Sequence, residues 1–123
     1  MKPSAPYTVV IIVPKWLQNS LAVLLDSLAD FKLIGSFSST EELLEAALPS
    51  GPDLTLLDVP RDPKLAREKL DLLKSTWPET YIIALVTQEK DCAYMVAHGA
   101  DQALIKGVAP DTLIAAIKRC SRN

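Results

Sequence analysis

The chain has 123 residues, which is room for a single domain, residues 1–123, with a real core and no more. Its residues are 49% hydrophobic and 23% charged, with a net charge of −2, so nothing electrostatic recommends nucleic acid or an anionic membrane as partner. Two cysteines, Cys92 and Cys120, and one histidine, His98, leave no disulfide framework, no metal-ligand spacing and no histidine-based triad. Met1 to Pro6 has no apolar leader, and the next apolar run breaks at Pro14-Lys15, so the reading is a cytoplasmic protein with no membrane span.

Tyr7 to Val13 is predicted as a first strand, continuous enough in β-branched residues to lie centrally in a parallel sheet. Pro14 suits the first turn of a helix, where its missing N–H costs nothing, and Leu17, Leu21, Leu24, Leu25 and Leu28 give that helix a core face. Phe31 to Phe37 alternates, with Phe31, Leu33, Gly35 and Phe37 set against Lys32, Ile34 and Ser36, as an edge strand would. Ser39-Thr-Glu-Glu42 is a capping box opening a helix striped by Leu43, Leu44, Ala47 and Leu48, which Pro49-Ser-Gly-Pro52 ends.

Leu54 to Asp58 is a short strand, apolar apart from Thr55 until it stops on a carboxylate. Charge is costly inside a strand covered on both faces and cheap at its exit, so Asp58 should stand where the strand leaves the sheet. In open α/β sheets, ligands collect at that edge. Lys64 to Thr76 reads as a helix with Leu65, Leu70, Leu72 and Leu73 inward, closed by Trp77-Pro78. Tyr81 to Val86 is a fourth strand, and Glu89 to His98 a short helix stopped by Gly99. Ala103-Leu-Ile105 is a fifth strand ending at Lys106-Gly107. Pro110-Asp111 opens a last helix with Leu113, Ile114 and Ile117 inward and Lys118 and Arg119 at its end. Trp16 and Trp77 are expected in core or helix-end packing, and His98 on the surface.

Five strands alternating with five helices on short connections give an α/β fold, a flavodoxin-like doubly wound five-stranded parallel sheet of order 2-1-3-4-5. That order sets Pro14 and Lys15 beside Asp58 and brings Lys106 to the same edge. No glycine-rich phosphate loop follows the first strand, so dinucleotide and P-loop readings fail.

Pro52-Asp-Leu-Thr-Leu-Leu-Asp58, Gly99-Ala-Asp101 and Leu104-Ile-Lys106 together resemble the receiver domains of two-component response regulators, of the chemotaxis-regulator type. The resemblance covers nearly the whole chain. It implies a signalling module rather than an enzyme, with Asp58 as phosphoacceptor and Lys106 as the cation beside the phosphoryl group. Receivers add a divalent metal, held by two acids at the end of the first strand together with the phosphoacceptor. Here the acid pair maps onto Pro14 and Lys15, so no metal or other cofactor is expected, and Lys15 becomes a second cation for Asp58. The usual hydroxyl maps onto Ala84 without a gap, or onto Thr87 if the following loop is shortened. The switch aromatic maps onto Ala103.

The resulting expectation is an atypical or pseudo-receiver, acting by protein–protein interaction without Mg-dependent phosphorylation and with Asp58 paired to Lys15, Lys106 or both. The alternative is a working phospho-accepting receiver that uses Asp58, with Mg. The partner expected is a signalling or output protein or a histidine kinase. The family also dimerises through the face made by the fourth helix, fifth strand and fifth helix, where Cys92, Tyr94 and Met95 are candidates. The segment from Ala109 to Arg119 is most similar to receivers that precede a helix-turn-helix output domain, and no such domain is seen in these residues. An unrelated enzyme or cofactor carrier has no motif to support it.

Overall fold

Three adjacent strands in the middle of the computed structural model carry almost no solvent-exposed surface, and the molecule is built outward from them. The structure describes residues 6–46 and 51–120. In chain order these form β1 (Tyr7–Ile12), α1 (Lys15–Asp26), β2 (Phe31–Phe37), α2 (Thr40–Glu45), β3 (Leu54–Asp58), α3 (Pro63–Thr76), β4 (Tyr81–Val86), α4 (Glu89–Ala97), β5 (Gln102–Ile105) and α5 (Pro110–Cys120). The sheet is parallel with order β2-β1-β3-β4-β5, as the alternation of elements predicts. Because a crossover between parallel strands is long, each strand is followed by a helix that covers one face.

Side-chain alternation along the strands feeds two cores. Val9, Ile11, Leu54, Leu56, Ile83 and Leu85 face α1 and α5, meeting Leu21, Leu25, Leu113 and Ile117. Val10, Ile12, Leu57, Ile82, Ala84 and Val86 face the other way, onto Leu43, Ala66, Leu70, Leu73 and Met95. Thr55 breaks the apolar run of β3 without cost, since its hydroxyl is 3.0 Å from that of buried Thr80.

The local stops work as their residue types dictate. Ser39 caps α2 by accepting from the Glu42 N–H, and the Asp62 carboxylate caps α3 by accepting from the Lys64 N–H. The Ala47, Leu48 and Pro49–Ser50 part of the α2 reading lies outside the described residues. Gly99, at φ +122°, ends α4 in a Schellman turn. Its N–H donates to Val96 and that of Ala100 to Met95, whose side chains of Ala100 and Met95 both enter the second core.

Four sequence expectations change. Pro14 is the N-cap of α1 rather than part of its first turn. On α3 Leu65 is exposed and Ala66 takes the inward position, because a stripe running through Leu70 and Leu73 passes through 66 and not 65. β2 is an edge strand, but Val9 pairs with Leu33 while Val10 pairs with Gly35, so Ile34 is an extra residue. That irregularity turns Phe37 from the core of Phe31 and Leu33 to the opposite one. A Cβ on Gly35 would lie 2.6 Å from the Phe37 ring, so glycine makes room for it. Finally, Met95 is buried and Cys92 and Tyr94, half-buried, pack against the same core, while Glu89, Lys90, Ala93, Val96 and Ala97 are the exposed residues of α4.

Candidate functional site

The carboxyl ends of β1, β3, β4 and β5 form one edge of the sheet. Asp58 is the last residue of β3 and is level with Leu85 of β4. Lys106 follows β5 directly, and its N–H donates to the carbonyl of Val86, so its backbone is fixed on β4. Asp58 and Lys106 thus stand two strands apart, about 10 Å in backbone terms, and only a long side chain can join them. The lysine arm spans β4. Its Nζ lies 3.0 Å from Asp58 Oδ1 and donates at 3.0 Å to the carbonyl of Val59. The Asp58 side chain is 18% exposed and that of Lys106 36%, so water and solutes reach the pair.

Lys15 does not join it. Its side chain is exposed at the start of α1, beside Gln18, Asn19, Ala22 and Ser36, at the junction with β2. The register explains this: β1 lies between β2 and β3, and the first turn of α1 projects Lys15 toward the β2 side. Trp16, expected in packing, is 78% exposed. It stands at the mouth of a cleft of about 300 Å³ walled by Leu17, Leu21 and Leu24 of α1 and Leu113 of α5, with Asp58 and Lys106 at its rim. Sequence reasoning missed this cleft. Its signal was the small residues Ser20 and Gly107, which line it.

Ala84 is fully buried inside β4, level with Leu57 and therefore one residue short of Asp58. Thr87 is the first residue past β4, at the strand exit, and only Gln88 separates it from α4. Ala103 pairs with Ala84 on β5 and packs into the second core.

The rest of the recognisable motifs serve the opposite edge. Asp53 accepts from the Thr8 N–H at 2.8 Å and from its hydroxyl at 3.1 Å, tying the start of β3 to β1. Asp101 accepts from the Ile82 N–H at 2.8 Å and ties β5 to β4.

No family model matches the chain. Over 96 residues it is 28% identical to a nitrate/nitrite response regulator protein homolog of Haemophilus influenzae, covering 76% of this chain and 46% of that protein. It is 27% identical over 124 aligned positions to the nitrate/nitrite response regulator protein NarL of Escherichia coli, covering 98% of this chain and 57% of that one. The chain spans about half the length of these curated relatives. Among solved structures, the isolated RcsB receiver domain of Salmonella enterica superposes with a TM-score of 0.80 at 17% identity, over 96% of this chain and 90% of that one. The BeF3-activated DrrB receiver domain gives 0.77 at 22%, over 96% and 99%. A CheY-like receiver from Methanospirillum hungatei gives 0.76 at 17%, over 97% and 96%. This is the receiver fold of response regulators.

The receiver fold normally brings acids of the β1 exit to the phosphoacceptor, and here the donor set does not fit a metal. Pro14 and Lys15 offer no carboxylate, and among the described residues no group of three or more His, Cys, Asp or Glu side chains comes together. A hard cation such as Mg²⁺ wants several oxygen ligands, and Asp58 alone is a poor site for it. What the edge does offer is a neutral ion pair against an apolar cleft.

Proposed function

We propose that this chain is a receiver-type module of two-component signalling that works in the cytoplasm through protein–protein contact, without Mg²⁺-dependent phosphorylation of Asp58. The observation that carries the reading is the exit of β1, where Pro14 and Lys15 leave Asp58 with a lysine for company and no second carboxylate. Phosphoryl transfer to a carboxylate needs positive charge around the moving oxygens, and one ammonium replaces only part of what a divalent ion supplies. The fold, its relatives and its structural neighbours support the signalling assignment. The partner is a signalling or output protein. For a homodimer, the α4–β5–α5 face would present Val96, which is 48% exposed.

The test follows Trp16, whose exposed ring stands at the same edge as Asp58, during titration with Mg²⁺ and then beryllofluoride, a phosphoryl mimic. No saturable fluorescence change up to millimolar metal is expected. A change that needs both ligands and vanishes in Asp58→Ala would overturn the reading.

That outcome would favour the second reading, a phospho-accepting receiver that uses Asp58 as phosphoacceptor. One observation favours it: Asp58 is accessible at its strand exit with an ammonium 3.0 Å away.

A further inference from the structure

The cleft between α1 and α5 has a size, a lining and a polar rim that together describe a ligand. We infer that it binds an uncharged, bicyclic, largely apolar small molecule carrying one hydroxyl or amide. Binding by this route requires no phosphoryl chemistry, so it goes beyond the proposed function.

The size comes first. A dry protein cavity of about 150 Å³ holds benzene. The cleft measures about 300 Å³, room for two fused rings and too little for a helix from another protein. Its walls are Leu17, Leu21 and Leu24 on one side and Val108 and Leu113 on the other, with Leu85 as floor. An apolar concavity with a few convergent polar groups is the usual form of a small-molecule site. The exposed indole of Trp16 at the mouth can close over a ring.

The rim decides the charge. Asp58 and Lys106 are both ionic, 3.0 Å apart, and together neutral. A carboxylate ligand would gain Lys106 but sit against Asp58, and an ammonium ligand would meet the reverse problem. Like charges brought together at an interface are penalised. A hydroxyl or amide can donate to the carboxylate and accept from the ammonium at once. Lys106 has the capacity, since an ammonium carries three N–H donors and two are engaged, with Asp58 and the Val59 carbonyl.

The probe is 2-naphthol, added to the ¹⁵N-labelled protein, with naphthalene-2-carboxylate and 2-naphthylmethylamine as charged counterparts. Saturable amide shifts should cluster at Leu21, Leu24, Val108 and Leu113. Both charged analogues should bind at least about tenfold more weakly, the loss for one unpaired charged contact. Ser20→Phe, a solvent-facing helix position on the cleft wall, should fill the mouth and remove the shifts while leaving the rest of the spectrum intact. Shifts scattered over the whole surface, equal affinity for all three probes, or naphthol binding undiminished in Ser20→Phe would each overturn the proposal. So would cleft shifts that grow with protein concentration alone, since a second copy of the chain would then be the occupant.

Discussion

At the scale of residues, the Asp58–Lys106 pair organises the site without holding the molecule together. Lys106 is more than a third exposed, so solvent screens the attraction, and accessible pairs contribute about 0–1 kcal/mol. Lys106→Met keeps the length of the arm and removes the charge. Its urea midpoint should therefore correspond to a stability change below about 1 kcal/mol, while any cleft ligand that relies on the ammonium is lost. A larger loss would mean that Asp58 without its lysine is effectively a buried charge. That Asp58 and Lys106 meet at one sheet edge was legible in the sequence, because each ends a strand of the predicted order, while a site role for Lys106 came from the family resemblance alone. Their pairing to the exclusion of Lys15 was not. Whether a helix's first residue faces one neighbouring strand or the other depends on the β1–α1 turn, and composition does not encode that rotation.

Elements explain why the fold was readable. Continuous apolar strands, glycine stops and capping residues are local signals that agree with one another, and the five-stranded order followed from them. The bulge at Ile34 was invisible because the alternation of β2 persists through it, and only pairing with β1 shows that Phe37 has changed sides. Leu65 misled for a related reason: leucine at an exposed helix position looks like core until the stripe is fixed by its neighbours. The Gly99-Ala-Asp101 motif turns out to be structural in every residue. Glycine supplies the left-handed turn, alanine the contact with Met95, and aspartate the bond to Ile82. Gly99→Ala should therefore destabilise by about 1–2 kcal/mol, the cost of a Cβ in that conformation. A steric clash is not the cause, as a Cβ there meets nothing closer than 3.6 Å. Thermal unfolding should show a Tm lower by roughly 3–10 °C, with the Asp58 edge unchanged. An unaltered Tm would show that the turn relaxes to a conformation open to any residue.

Across the whole molecule the two ends of the sheet divide the work. The amino end is stitched by side chains, Asp53 to Thr8 between β3 and β1 and Asp101 to Ile82 between β5 and β4, which leaves the carboxyl end able to vary its chemistry. The outer strand β5 gains a further tie, because Gln102 donates to both the Tyr81 hydroxyl and the Ala116 carbonyl, at 2.8 Å each, and so fastens α5 over β4. Burial pushes the Tyr81 phenol above its ordinary value of 10.0, with the bond from Gln102 pulling the other way. The sign of the consequence is fixed by linkage. Above pH 10 the unfolded chain loses this proton before the folded one does, so the unfolded state binds fewer protons and stability falls as pH rises. The contribution is complete below the unfolded value and is lost as pH climbs through the folded one. Equilibrium unfolding of the wild-type protein and of Tyr81→Phe between pH 9 and 11 isolates it, since other titrating groups are common to both. The wild-type stability should decline more steeply with pH than that of the variant, and the gap should open only above the ordinary tyrosine range. Parallel slopes would mean that the phenol is as well hydrated in the folded molecule as in the unfolded chain, and that the Gln102 tie holds α5 without drying the Tyr81 ring.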